Sequence, residues 1–374
     1  MLTGILQNIL IKISYNYYLY IGRLIMKKRR VFLGIILIII LFFIVFFVGN
    51  LEGTNKDMED NVNVIDIVDD SNLSIKNNST IKLNVKLANI FKSSNKFFAW
   101  ESSNEDVASV DNGVVKAKSS GTTTVTAKLD NLEIKSKITV YDIKKVIIII
   151  GDSRMDHFKD DNEFNSTSRY EIKYTDKVSM LSKYDRLYVV SLSGMRYEWF
   201  AGDGIYNDNN ATNYVKDIIS EYEDKTKDTL KYDIKLLFNL GVNDLSHYHL
   251  TTTPSEVASK YLSKIDDVMN NEWKSDKIYN ISLNMVTLFP VNDDQIKCYY
   301  SMRYNRDVID FNDYIITNSK YTVCDAYNDL DFNDSVFRER FDNASCATRD
   351  GLHFSKEFNT TELYSYLVNV CANK

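Results

Sequence analysis

The chain predicts a doubly wound α/β domain, preceded by a small all-β sandwich and an N-terminal apolar span. Three patterns lead there. Residues 145–374 alternate continuous apolar, β-branched runs with helical periodicity. Residues 63–142 alternate apolar and polar positions with a period of two, and residues 31–49 are apolar throughout. At 374 residues there is room for two or three domains, and 44% hydrophobic with 26% charged residues is the balance of an ordinary folded protein. A net charge of -6, with no basic tract beyond Lys27-Lys28-Arg29-Arg30, gives no reason to expect nucleic acid. Only Pro254 and Pro290 occur, so there is no proline-rich linker.

Val31 to Gly49 carries no charged or polar side chain. About 19 residues at roughly 1.5 Å each span about 28 Å, close to the hydrocarbon core of a bilayer. Lys27 to Arg30 sits immediately before the run, and Glu52, Asp57, Glu59 and Asp60 follow it. The positive-inside rule then places residues 1–30 in the cytoplasm and the remainder outside, with 31–49 as an uncleaved transmembrane helix. A cleaved signal peptide is the competing reading. The run is longer than an ordinary signal core, however, and no Ala-x-Ala-like site or lipoprotein cysteine follows. Met26 opens Met-Lys-Lys-Arg-Arg and would make a conventional start for an export signal, which leaves the status of residues 1–25 open. Cys298, Cys324, Cys346 and Cys371 all lie on the exported side. They permit one or two disulfides, with three possible full pairings, or four buried thiols.

Residues 50–62 are polar and acidic and read as a short stalk. In residues 63–142, Ile81, Leu83, Val85 and Leu87 alternate with polar neighbours, as do Val125, Ala127 and Leu129. Asn112-Gly113 and Ser120-Gly121 supply turns, and short strands at this spacing suggest a sandwich. Trp100-Glu101-Ser102-Ser103-Asn104, Val107-Ala108-Ser109-Val110, Gly113 to Ala117 and Gly121 to Ala127 resemble the bacterial Ig-like domain of group 2. The resemblance implies a spacer or adhesive module on a bacterial surface, with cell-wall contact as one possible role. Trp100 is expected between the sheets.

From residue 145 the character changes. Val146 to Ile150 is a five-residue apolar run, as expected of a strand buried on both faces of a parallel sheet. Leu187 to Leu192, Leu236 to Leu240, Ile278 to Val286 and Tyr321 to Ala326 are further strand candidates. Thr253-Pro254-Ser255-Glu256 is a capping box with proline at the first helical position. It opens a helix with Ala258, Tyr261, Leu262, Ile265, Val268 and Met269 on one face. Leu363, Tyr366, Leu367 and Val370 suggest a closing helix. In such a sheet, ligands gather at the carboxyl ends of the strands.

Four motifs fall at those ends. Gly151-Asp152-Ser153 follows the first strand, and Ser153 is a candidate nucleophile whose own N–H, expected at the start of a helix, can face an oxyanion. Gly194 follows the second strand, where lack of a Cβ lets a backbone N–H approach substrate; Gly202 or Gly204 could take the same role. Asn243, in Gly241-Val242-Asn243-Asp244, carries an amide able to donate to the same oxyanion. His353 stands three residues after Asp350, so a turn-like step would let the carboxylate orient the imidazole that takes the Ser153 proton. The order Gly-Asp-Ser, Gly, Gly-x-Asn-Asp, Asp-x-x-His resembles the SGNH hydrolases of the GDSL esterase/lipase superfamily over residues 145–370. The resemblance implies a three-layer α/β/α fold. It implies Ser153, Gly194, Asn243 and His353 as signature residues, with Asp350 as triad acid. Arg154 stands where the superfamily name has Leu.

His157, His247 and His249 lack a metal-ligand pattern, and no Cys/His spacing suggests zinc, so no metal or organic cofactor is expected. Tyr197, Trp199 and Phe200, just after Gly194, are candidates to line a sugar or acyl pocket. The expectation is a membrane-anchored, extracytoplasmic serine esterase acting on an acylated glycan. Two alternatives remain. One is acyl transfer to a glycan by the same residues. The other is a surface adhesion protein with an inactive domain.

Overall fold

The computed structural model describes residues 63–67, 70–85, 98–155, 169–171, 184–247, 249–296, 303–339 and 349–374. The expected cytoplasmic N-terminus, membrane span and stalk lie outside the described residues, as do Leu87, His157, Cys298 and Cys346. Among the described residues no helix is long and apolar enough to cross a membrane.

The N-terminal module is a two-sheet sandwich. One sheet orders β1 (Asn63–Ile67), β3 (Thr80–Val85), β6 (Val114–Ala117) and β5 (Ala108–Asp111). The other contains β2 (Ser71–Lys76), β4 (Ala99–Ser102), β7 (Gly121–Leu129) and the first half of β8 (Leu132–Gly151). Alternation does what it should: Ile81, Leu83, Val85, Val125, Ala127, Ile138 and Val140 all face the space between the sheets. One expectation needs correction. Trp100 sits only partly buried at the edge of this core, and Phe98, 4% exposed, is the aromatic that fills it.

β8 then continues without a break into the second module. Leu132 to Val140 pair with β7, whereas Asp142 to Gly151 pair with β11 (Leu230–Asn239). The change of composition at 142–145 therefore falls inside one strand. Asn77 braces this junction, donating its N–H to Tyr141 O (2.9 Å) and its side-chain amide to Asp142 (2.8 Å).

In the α/β module the sheet order is β13 (Thr322–Cys324), β12 (Asn280–Val286), β11, β8, β10 (Arg186–Ser191) and β9 (Arg169–Glu171). All pairings are parallel except that of the edge strand β9 with β10. The apolar run of β8 is continuous because both its faces are covered. Val146, Ile148 and Ile150 pack under α1 (Tyr197–Ala201), α2 (Ala211–Lys225), α3 (Pro254–Asn271) and α4 (Asn305–Asn318). Ile147 and Ile149 face the opposite layer, which includes Phe337, Phe354, Tyr364 and Leu367. This is a three-layer arrangement. Each of these five β8 side chains is fully buried, which at the usual transfer values stabilises by about 2–3 kcal/mol apiece.

The helix ends obey their local chemistry. Thr253 Oγ1 accepts the Glu256 N–H (3.2 Å) and Glu256 accepts the Thr253 N–H (2.9 Å), the reciprocal box expected for α3. The closing segment differs from a simple helix: a π turn over Asn359–Leu363 leads into α5 (Tyr364–Asn369). That extra residue per turn rotates Val370 outward, 40% exposed, and turns Tyr364, Val368 and Cys371 inward. Cys371 is joined to Cys324 in a disulfide with Cα atoms 5.4 Å apart, so the last turn is fastened to the end of β13.

Candidate active site

The chain order reverses around β8. β10 lies on one side of it, and the chain then crosses back so that β11, β12 and β13 add on the other. The carboxyl end of such a central strand is where a crevice opens. Gly151 ends β8 and is flanked in register by Ser191 of β10 and Asn239 of β11. The three following loops, carrying Ser153, Gly194 and Asn243, consequently leave the sheet side by side.

Ser153 lies in a turn, Asp152 to Met155, closed by the Met155 N–H on Asp152 O at 2.9 Å. The helix expected to follow this turn lies outside the described residues. Beneath it, Asp152 and Arg154 are fully buried. Arg154 donates to Phe289 O (3.0 Å), and its guanidinium carbon lies 5.2 Å from the Phe289 ring centroid. Asp152 Oδ1 accepts the Arg154 N–H (3.0 Å) and a longer Nε bond (3.4 Å). Burial lowers the affinity of Arg154 for its proton, opposed by the adjacent carboxylate. A buried ion pair thus flanks Ser153 on both sides in the chain.

His353 reaches Ser153 across 200 positions of sequence: Nε2 to Oγ is 2.9 Å. On the other side of the ring, Nδ1 lies 2.9 Å from Asp350 Oδ2. An ionised carboxylate can only accept, so Nδ1 carries the proton and Nε2 is the lone pair facing the serine hydroxyl. Both residues belong to β15 (Arg349–Phe354). In a regular strand, positions three apart would point to opposite faces. Gly351 resolves this with φ 70°, bending the strand so that Asp350 Oδ1 accepts the N–H groups of Leu352 (2.9 Å) and His353 (2.8 Å). A Cβ at Gly351 would stand 2.8 Å from Asn292 O and Ile296 N, so no other residue fits.

Arg338, on β14 (Phe337–Glu339) beside β15, donates its Nε–H to the same Asp350 Oδ2. Burial works against charge on Asp350. The bond and charge of His353, the Leu352 N–H and the Arg338 guanidinium outweigh it and hold the carboxyl down at about 2. Asp350 is therefore ionised at neutral pH.

Asn243 is held on both sides. Its Nδ2 donates to Met195 O (3.0 Å), and its Oδ1 accepts from Arg303 Nη2 (2.7 Å). A guanidinium has no acceptor, which settles the amide orientation: oxygen toward Arg303, nitrogen toward the Gly194–Met195 turn. One N–H is engaged by Met195, and the second is left for another acceptor. Gly194 has φ 73° and open space where a Cβ would lie. Of the two alternatives, Gly202 donates its N–H to Glu198 O (3.0 Å) as the cap of α1 and is committed there.

Asp244 locks the two loops together. It accepts the Tyr197 N–H (3.1 Å) from α1 and the Tyr261 hydroxyl (2.8 Å) from α3. Burial, only partly offset by these two bonds, pushes its carboxyl up to about 6.

The aromatic candidates are placed differently from expectation. Trp199 and Phe200 are fully buried core residues, Phe200 packing edge-on to Phe238 at 4.9 Å. Their helix turns them inward, so they line no pocket; Tyr197 is half-buried and packs on Tyr261 at 5.3 Å. His247 lies 3.3 Å from Asp307 and against the Tyr304 ring (4.6 Å). His249 is held below its ordinary value by burial and by the charges of Arg196 and Arg303. Among the described residues no group of three or more His, Cys, Asp or Glu side chains could hold a metal ion. Arg303, Arg338 and the Asp244–Tyr261 pair were not singled out from the sequence. Asp244 was visible within its motif, but the two arginines carry no local signal, because their partners lie far away in the chain.

Residues 62–140 match the family model of the bacterial Ig-like domain (group 2). No curated protein matches the chain. Among solved structures the chain is similar to Est24, a carbohydrate acetylesterase from Sinorhizobium meliloti, at 15% identity and TM-score 0.38, over 60% of this chain and 99% of that one. It is also similar to a lipase/acylhydrolase from Enterococcus faecalis (13% identity, TM-score 0.34, 60% and 96% covered). A third is the M. Smegmatis aryl esterase (15% identity, TM-score 0.36, 61% and 99% covered). The resemblance to the Ig-like domain that the motifs carry is thus matched by a family model over the same residues.

Proposed function

We propose that the chain is an extracytoplasmic serine esterase that removes O-acetyl or similar small acyl groups from a cell-wall or surface glycan. The observation that carries this is the unbroken relay from Ser153 Oγ to His353 Nε2 and from His353 Nδ1 to Asp350, each step 2.9 Å. In the reaction, Ser153 Oγ attacks the ester carbonyl as its proton passes to His353 Nε2. The resulting imidazolium is stabilised by the Asp350 carboxylate. The oxyanion is received by the second Asn243 N–H together with the Ser153 and Gly194 N–H groups. Collapse expels the glycan alkoxide, which takes the proton from His353, and leaves an acyl-serine. Water, deprotonated by His353, then releases the carboxylate and restores the hydroxyl.

The basic cluster before residues 31–49 and the acidic flank after them support an anchored, exported placement, and the Cys324–Cys371 disulfide suits an oxidising compartment. The glycan target rests on that placement and on the Ig-like module, which shares a strand with the α/β domain and would hold it at a set angle to whatever the module binds.

The test is hydrolysis of an activated aryl acetate and of O-acetylated wall glycan by the full chain and by Ser153→Ala. Free acetate should appear without an added acceptor, and the substitution should lower kcat by about 10⁴-fold or more. Equal activity in the two proteins would remove the esterase reading. Acetate appearing only on an added sugar would replace it with acyl transfer.

A further inference from the structure

The structure assigns to Arg303 a role in building the oxyanion site: it is a positioning residue that aims and polarises the Asn243 amide. The inference rests on the serine-esterase reading above. Arg303 is only 5% exposed. It makes two directed bonds to consecutive residues of one loop, Nε to Val242 O (2.8 Å) and Nη2 to Asn243 Oδ1 (2.7 Å). A planar guanidinium is suited to this because its donors form a rigid fork. One prong fixes the backbone from which Asn243 springs, and the other fixes the rotation of its side chain.

Two consequences follow for the chemistry. First, an asparagine amide free to turn by 180° would present its oxygen to the developing oxyanion half the time, and an oxygen there repels. Arg303 admits only the orientation with nitrogen toward the Met195 turn, where Nδ2 bonds Met195 O at 3.0 Å. The donor is thereby set before substrate arrives, which is the condition under which such donors are effective. Second, a hydrogen bond from a cation to the amide oxygen draws electron density from the amide nitrogen, so its remaining N–H becomes a stronger donor. The positive charge also sits one amide away from the place where negative charge develops. Neither effect requires Arg303 to touch substrate.

The role predicts a loss in turnover rather than in binding, coupled to Asn243. Kinetics with an aryl acetate should be compared for the full chain and for Arg303→Met, Arg303→Lys, Asn243→Ala and the double variant Asn243→Ala/Arg303→Met. Arg303→Met should lower kcat by about 10²-fold, the usual loss for one oxyanion donor, with KM little changed. Lysine, a point charge without the fork, should restore part of it. In the Asn243→Ala background, removing Arg303 should cost less than about threefold more, since its target is already gone.

A second reading does not depend on turnover. The Asn243 side-chain amide proton that bonds Met195 O should be slow to exchange with solvent in the NMR spectrum of the intact chain, and faster in Arg303→Met, where the amide is no longer held from its oxygen side. The inference is overturned by an unchanged kcat, by the same fold-loss with and without Asn243, or by unaltered amide exchange. If the unsubstituted chain or Ser153→Ala shows that no serine hydrolysis occurs, the function falls instead, and the amide measurement still decides the contact.

Discussion

Replacing Asp350 by asparagine changes one oxygen into NH₂ and should nearly silence the relay while leaving the fold in place. Asp350 accepts from four donors: Oδ1 from the Leu352 and His353 N–H groups, and Oδ2 from His353 Nδ1 and Arg338 Nε. An asparagine has one acceptor oxygen. If that oxygen stays on the two backbone donors that shape the Gly351 bend, its NH₂ meets His353 Nδ1–H and Arg338 Nε–H, a confrontation of donors. The imidazole can relieve this only by moving its proton to Nε2. It then presents N–H to Ser153 Oγ and cannot take the serine proton. A wrong tautomer of this kind costs about 10⁴-fold in kcat, or about 5.5 kcal/mol of barrier.

Asp350 also contributes stability through its charge. Its carboxyl is held at about 2 in the fold against a usual 3.8. The sign is that of a depressed acid: the contribution, about 2 kcal/mol, is full above 3.8 and is lost as pH falls toward 2. The assay is kcat and KM for aryl acetate at neutral pH, beside a urea titration at pH 7 and pH 3. If Asp350→Asn keeps activity within tenfold while Ser153→Ala is inactive, Asp350 does not orient the base and the reasoning fails.

Two other outcomes follow from the same geometry. The Asp244 carboxyl, raised to about 6 from 3.8, favours the folded state most below pH 3.8, and that contribution is lost as pH rises through 6. Asp244→Asn, which stays neutral while still accepting the Tyr197 N–H, should flatten the pH dependence of Tm between pH 4 and 7 and raise stability at neutral pH by about 2–3 kcal/mol; an unchanged profile would mean that Asp244 is not the titrating group. Breaking the Cys324–Cys371 bridge, which closes a loop with a sequence separation of 47, should lower unfolding free energy by about 2–4 kcal/mol, read by urea titration of Cys371→Ser against the intact chain.

Much of the architecture was legible because it is written in local period. A strand covered on both faces must be apolar at every position, and Val146 to Ile150 could hardly be anything else. The Thr253–Glu256 box named the start of α3 to the residue, since a cap satisfies its own helix end. Where the reading went astray, the deciding contacts were not local. Trp199 and Phe200 carry the same residue types as a sugar platform, and only the packing of α1 against Phe238 and Trp273 turns them inward. The composition change near residue 145 falls where β8 passes from one sheet to the other, Leu132 to Val140 pairing with β7 and Asp142 to Gly151 with β11, because a strand's hydrogen bonds do not depend on side-chain character.

By itself the sequence determined which chemical groups exist and the local frame each stands on: a serine after a buried strand, an asparagine in a glycine turn, a histidine three residues beyond an aspartate. The tertiary structure alone decided that they meet. The reversal of strand order at β8 sets three loops side by side, and the Gly351 bend points Asp350 and His353 at a residue 200 positions away. It also chose Arg303 and Arg338 as partners for Asn243 and Asp350. Periodicity records whether a side chain is buried or exposed, whereas which polar group it faces across the fold depends on how distant segments cross, and no neighbouring residue carries that information.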